Sequence, residues 1–215
     1  MSSQVIQWIE QHQLVAIIRI TSTDEVESVV NSLFKGGIRI VEITMNSPGA
    51  LRGIERVKEA FPDMVVGAGT VLDPETARSA ILAGADFLLT PTLKKETIEM
   101  GRRYDVDVIP GVLSPTEALT AYEYGASMVK IFPARTFGPS YIRDLHGPLP
   151  QLKCMAVGGI GLDNALSYIE AGAVGLGIGS SLVDERLILS GDFAEIEERA
   201  RRFVQIQQEA TTNKV

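Results

Sequence analysis

A lysine flanked by two β-branched residues, in the run Val129-Lys130-Ile131, is the feature of this chain that most demands a chemical explanation. Burying an ammonium in such a strand disfavours the charged form and lowers its pKa. The neutral amine that results is a nucleophile and can form a Schiff base with a ketone. Once protonated, that imine is an electron sink for a neighbouring carbon–carbon bond. The alternative is a lysine at the strand's exposed tip. Glu42, between Val41 and Ile43, repeats the pattern with the opposite charge. A carboxyl group facing the same interior can carry protons on and off carbinolamine and hydroxyl oxygens. Its alternative is a buried salt bridge with Lys130, a weak source of stability. Arg19 and Thr70 add donors suited to a substrate carboxylate, the arginine through its bidentate fork, unless Arg19 only reaches from a strand end into solvent.

Two glycine-rich runs carry a second signal. Gly158-Gly159-Ile160-Gly161 precedes a helical stretch, and Gly177-Ile178-Gly179-Ser180-Ser181 closes the last β-rich run. Backbone N–H groups in such turns can cradle an anion, with plain tight turns as the alternative. The spacing Gly175, Gly177, Gly179 is superficially that of a dinucleotide fingerprint, but no βαβ unit follows it. Cys154, the single cysteine, lies inside a β-run and reads as a buried thiol rather than a nucleophile. The two histidines, His12 and His146, do not sit at strand ends. Histidine-based metal sites and Ser-His-Asp triads therefore lack raw material, and metal-independent chemistry is the default.

The elements that must position these groups form a regular alternation. Eight β-rich runs recur: VAIIRI at 15–20, IRIVEITM at 38–45, VVGAGTVL at 65–72, FLLTPTL at 87–93, DVIPGVL at 107–113, MVKIFPA at 128–134, CMAVGGI at 154–160 and GLGIGSSL at 175–182. Helix-compatible stretches lie between them, most ending in glycine, and the turns KGGIRI, LAGADF, EYGASM and EAGAVG repeat one αβ junction. Alternation of this kind implies parallel strands joined by crossovers, and eight units predict a closed (β/α)8 TIM barrel, with an open doubly wound sheet as the alternative. A helix over residues 2–12 precedes the first strand and is expected to cap the bottom of the barrel. A long helix over 191–210 ends the fold before a frayed tail at 212–215. One domain, residues 1–215, is expected throughout.

In such a barrel the chemistry gathers at the C-terminal ends of the strands, where Arg19, Glu42, Thr44, Thr70, Thr90 and Lys130 fall. Period-two alternation sets Arg19 with Ile17, Glu42 with Ile40 and Thr44, and Lys130 with Met128 and Phe132 on the inner face. Val41, Ile43, Val129 and Ile131 then face the helices.

With 45% hydrophobic and 22% charged residues among 215, the composition is that of a soluble globular chain with one substantial core. The net charge of −7 argues against nucleic acid or an anionic membrane as the main partner. The opening MSSQVIQWIEQHQ lacks the basic start and apolar run of a signal peptide, so a cytoplasmic location is expected.

Over nearly its whole length the chain resembles the KHG/KDPG aldolases, including the 6-phosphogalactonate type. The likeness rests on VAIIR at 15–19, GIRIVEITM at 37–45, GAGTVL at 67–72, LLTP at 88–91, IPGVLSPTEA at 109–118, VKIFPA at 129–134, GGI at 158–160 and GIGS at 177–180. The resemblance implies Lys130 as the Schiff-base lysine and Glu42 as the general acid/base. It further implies that Arg19, Thr70, Pro91 and Phe132 line a pyruvyl pocket and that Gly158, Gly159, Gly179 and Ser180 hold a phosphate. A homotrimer needing no metal or organic cofactor is implied as well.

One departure bears on the substrate. Many gluconate-type members carry an arginine four residues after the glutamate, where this chain has Asn46, and the run MNSPGA looks more like the galactonate type. That leaves carboxylate binding to Arg19 and Thr70. The implied reaction cleaves a 2-keto-3-deoxy-6-phospho sugar acid to pyruvate and glyceraldehyde 3-phosphate, and the same site could take 4-hydroxy-2-oxoglutarate, releasing glyoxylate. Two rival readings are a phosphosugar isomerase or epimerase on the same barrel, with Glu42 moving a proton and no lysine adduct, and a non-catalytic phosphate-binding barrel.

Overall fold

The computed structural model describes residues 4–19 and 22–212; residues 1–3, 20–21 and 213–215, which include the start of the expected first helix, the end of the run 15–20 and most of the expected tail, lie outside them. Helix α1 (Gln4–His12) leads into β1 (Leu14–Ile18), α2 (Val26–Lys35), β2 (Ile40–Thr44), α3 (Ala50–Ala60), β3 (Val65–Gly69), α4 (Pro74–Leu82) and β4 (Phe87–Leu89). Then come α5 (Lys95–Arg103), β5 (Asp107–Ile109), β6 (Gly111–Val112), α6 (Pro115–Glu123), β7 (Val129–Ile131), α7 (Ser140–His146), β8 (Cys154–Val157), α8 (Ala165–Glu170), β9 (Gly175–Ile178), α9 (Glu185–Ser190) and α10 (Phe193–Thr212).

Every strand pairing is parallel, in the order β5-β4-β3-β2-β1-β9-β8-β7-β6. The run 107–113, expected as one strand, is two: Pro110 has no N–H to donate to a ladder and divides it. Its first half pairs with β4 and its second with β7, so the two ends of the sheet order meet across a single residue and eight staves close on themselves. This is the (β/α)8 barrel the alternation predicts, not an open sheet.

The αβ junctions behave as the repeat implies. Gly37, Gly84, Gly125 and Gly172 all take left-handed φ values between 93° and 102° just after α2, α4, α6 and α8, a conformation open to glycine at no steric cost. Helix starts are less uniform than the sequence suggests. Asp73 caps α4 and Ser114 forms a capping box with Glu117 on α6. The first turns of α2 and α5, by contrast, have no side-chain cap. The short helix α9, capped by Asp184 and closed by Gly191 at φ 70°, was not foreseen.

Two apolar layers follow from strand alternation. Val41, Ile43, Val129 and Ile131 pack with the surrounding helices, while Val15, Ile17, Ile40, Phe87, Ile109, Met128, Met155 and Val157 fill the lumen. Ile6 and Ile9 of α1, both fully buried, join the lumen layer, so the first helix plugs the bottom of the barrel as expected. Among the described residues no helix is long and apolar enough to cross a membrane.

Truncating the plug should act on stability from the end opposite the strand C-termini. Ile9→Ala is expected to cost about 2–4 kcal/mol, the usual range for an emptied core site, read as a lowered midpoint in urea unfolding with an unchanged m value.

Candidate active site

Lys130 is the central residue of a three-residue strand and Glu42 the third residue of a five-residue one. Counting staves around the barrel puts β2 and β7 four apart, directly across the lumen from each other. Both side chains therefore point inward and face one another. Only 5% of Lys130 and 1% of Glu42 is exposed, which removes the exposed-tip alternative for the lysine.

No contact ion pair joins them. Glu42 Oε2 is buried and accepts no hydrogen bond, and among the described residues the salt bridges all involve other groups. The buried salt bridge held open by the sequence is thus absent, and a gap separates the amine from the carboxyl. Burial pushes the Lys130 amine below the ordinary lysine range; the field of Glu42 opposes this and that of Arg19 adds to it. Burial pushes the Glu42 carboxyl up, against the fields of Lys130 and Arg19. Each shift favours the neutral form of its group and brings the two titrations closer together.

The walls around the amine are specific. The Phe132 ring lies 4.8 Å from Lys130 Nζ, and Lys130 N–H donates to the Pro110 carbonyl at 2.8 Å. Gly111 pairs with Lys130 in register, and a Cβ at Gly111 would collide with the Pro91 backbone. Pro91 therefore closes the wall beside the lysine. On the other side, a Cβ at Gly69 would overlap the Glu42 carboxyl group. Gly69 is the hollow into which that carboxyl folds, a role the sequence reading missed although the run GAGT marks it. Thr70 follows with φ 56°, a left-handed conformation rare for threonine that ends β3 short of the expected run 65–72.

Arg19 stands exposed at the top of β1 with no hydrogen bond or ion pair among the described residues. Its positive charge acts on both Lys130 and Glu42. Thr44 and Thr90 are not part of this group. Thr44 Oγ donates to the Ile18 carbonyl at 3.4 Å and pairs with Ser47, while Thr90 Oγ binds the Thr92 carbonyl and accepts from Gly111 N–H. Both tie strand ends to loops.

Above the lumen, a cavity of about 560 Å³ is lined by Arg19, Phe132, Gly158, Gly159, Gly179 and Ser180. Six of the expected site residues thus share one opening, with Lys130, Glu42, Thr70 and Pro91 below or beside it. Ser181, from the same glycine-rich run, also reaches this cavity, as do Arg135 and Asn164, which were not foreseen. Asn164 binds Gly159 O and Gly161 N–H, fixing the turn from inside. Gly158 and Gly159 take φ 96° and 81°, left-handed conformations that glycine adopts at no steric cost. Cys154 is buried with its thiol pushed up to about 12, consistent with an inert core residue. Among the described residues no cluster of three or more histidine, cysteine or acidic side chains could hold a metal ion.

A family model described as aldolase, KDPG and KHG aldolase, matches residues 5–199. The chain is 39% identical over 178 residues to the 2-dehydro-3-deoxy-6-phosphogalactonate aldolase of Escherichia coli strain K12, spanning 82% of this chain and 87% of that one. It is 33% identical over 206 residues to the 2-dehydro-3-deoxy-phosphogluconate aldolase of Haemophilus influenzae, spanning 95% and 97%. The solved KDPG aldolase from Legionella pneumophila, with pyruvate captured at low pH as a covalent carbinolamine intermediate, is similar at a TM-score of 0.86 and 29% identity, over 93% of this chain and 97% of that one.

Two predictions follow from the geometry. Gly69→Ala should displace the Glu42 carboxyl and lower turnover by about 10- to 100-fold. Shortening the acid in the same chain, as Gly69→Ala with Glu42→Asp, should be less damaging than the two single losses multiplied together, whereas independent effects would multiply. Separately, the Lys130 pKa lies below its unfolded value of 10.5, so the unfolded chain binds more protons there. The burial penalty is full below the folded pKa and fades as pH rises toward 10.5. Lys130→Met should therefore stabilise the fold at pH 7 by about 1–3 kcal/mol, with the gain shrinking in alkali, as read by calorimetry across pH.

Proposed function

The chain belongs to the KDPG and KHG aldolase family, and from that premise we propose that Lys130 and Glu42 cleave a 2-keto-3-deoxy-6-phospho sugar acid inside a single-domain barrel. The enzyme is a class I aldolase, a carbon–carbon lyase yielding pyruvate and glyceraldehyde 3-phosphate. The observation that carries the assignment of residues is the uncharged tendency of a 5%-exposed amine facing a 1%-exposed carboxyl without contact.

In the forward direction the Lys130 lone pair attacks the C2 ketone, and the oxygen takes the proton held by Glu42, giving a carbinolamine. Glu42 takes back a proton from the now cationic nitrogen and passes it to that hydroxyl, which leaves as water to give the protonated imine and the Glu42 carboxylate. The Glu42 carboxylate then accepts the C4 hydroxyl proton as the C3–C4 bond breaks. The electron pair of that bond flows into the imine to form an enamine, and glyceraldehyde 3-phosphate departs. Protonation at C3 and attack by water on the imine return pyruvate and the free amine, so one water is lost and one regained.

Arg19 and Thr70 are assigned to the substrate carboxylate, and Pro91 and Phe132 to the walls that exclude water around C2. Gly158, Gly159, Gly179 and Ser180 form the phosphate cradle. Supporting the galactonate epimer as the preferred substrate are Asn46 in the run MNSPGA and the 39% identity to a phosphogalactonate enzyme. The shorter 4-hydroxy-2-oxoglutarate fits the same chemistry but leaves the cradle empty. A cytoplasmic homotrimer is proposed on family likeness.

Borohydride reduction in the presence of pyruvate should fix one three-carbon adduct on the peptide bearing Lys130 and none on a Lys130→Met variant. A label on another lysine, or full cleavage activity without any label, contradicts the assignment. In cleavage assays the phosphogalactonate-derived substrate should exceed the phosphogluconate-derived one in kcat/KM, and both should exceed their unphosphorylated counterparts.

A further inference from the structure

Arg135 lies five residues beyond Lys130, on the one-turn helix Ala134–Thr136 that follows β7. Its backbone N–H donates to the Gly158 carbonyl at 3.1 Å, which ties this turn to the glycine cradle. The aliphatic stem runs across Gly159: a Cβ built there would lie 2.7, 2.9 and 3.2 Å from the arginine Cβ, Cδ and Cγ. Arg135 is exposed and lines the same cavity as Gly159 and Ser180. Among the described residues it makes no ion pair or side-chain hydrogen bond.

Charge around this opening is unevenly spread. Arg19 stands on the side nearer the amine, its Nη1 3.9 Å from a Cβ built at Gly179. Asp163 lines the cavity close to Gly161 and carries a negative charge facing any anion held there. Gly161 N–H is already taken by Asn164 at 3.0 Å, so it cannot serve as a donor. A phosphomonoester of charge near −2 set among neutral amides and Asp163 needs a cation, and a guanidinium fork suits its oxygens.

We propose that Arg135 anchors the substrate's phosphate and sets the preference for phosphorylated over unphosphorylated keto acids. The proposal rests on the aldolase reading and deepens it: Arg19 serves the carboxylate end and Arg135 the phosphate end, so two arginines fix the length of the accepted substrate. Packing on Gly159 explains why that position has no side chain, since the stem fills the space one would need.

The test compares wild type, Arg135→Gln and Arg135→Lys on 2-keto-3-deoxy-6-phosphogalactonate and its unphosphorylated counterpart, at low and at moderate ionic strength. Arg135→Gln should lower the kcat/KM ratio of phosphorylated to unphosphorylated substrate by about tenfold or more, chiefly through KM. Arg135→Lys should restore part of it, and added salt should shrink the difference. An unchanged ratio in Arg135→Gln, or an equal loss on both substrates, overturns the proposal. Pyruvate–borohydride labelling of the same three proteins keeps the two readings apart: wild type failing to label sinks the aldolase assignment, whereas normal labelling with an unchanged ratio sinks only the role of Arg135.

Discussion

A lysine amine whose charged form is disfavoured by burial is the constraint around which this barrel is arranged. Val129 and Ile131 bind Lys130 into the layer between strands and helices, so the strand cannot turn its side chain outward without exposing both. The amine is then committed to the lumen, where desolvation favours its neutral form. A direct salt bridge with Glu42 would undo this by restoring the charge. Setting the two groups on opposite staves keeps the field of the carboxyl while leaving room between them for a carbon skeleton.

The rest of the lumen serves that separation. Gly69 gives the Glu42 carboxyl a recess, and Gly111 lets Pro91 close in beside the lysine. Phe132 covers the amine on one side and meets the Gly158 turn on the other, where a Cβ would come within 3.3 Å of its ring. One aromatic side chain thereby links the covalent site to the phosphate cradle. Below, Ile6 and Ile9 close the barrel from the opposite end, and the cavity lined by Arg19 and Phe132 opens at the strand C-termini.

Much of this was legible in the sequence because alternation and burial are tied together. Period two placed Lys130 and Glu42 inward and their neighbours outward, and eight β-rich runs, four of them entered through one repeated glycine junction, carried the count of the barrel. Strand ends were harder to read. VVGAGTVL looks continuous, yet Thr70 leaves the β region at φ 56° and the strand ends at Gly69. DVIPGVL looks like one strand, yet the proline divides its hydrogen bonding between two neighbours. Arg135 was passed over because a lone charged residue after a strand carries no periodic signal, and only the fold brings it onto Gly159.

The most direct measurement is the titration of the Lys130 ε-carbon by nuclear magnetic resonance in protein labelled at lysine side chains, with Lys130→Met assigning the signal. Lys130 should titrate below the other lysines, and lower still in Glu42→Gln, because the carboxylate field that favours its charge is then gone. A resonance that titrates with the other lysines near 10.5, unmoved by the loss of Glu42, would contradict the account.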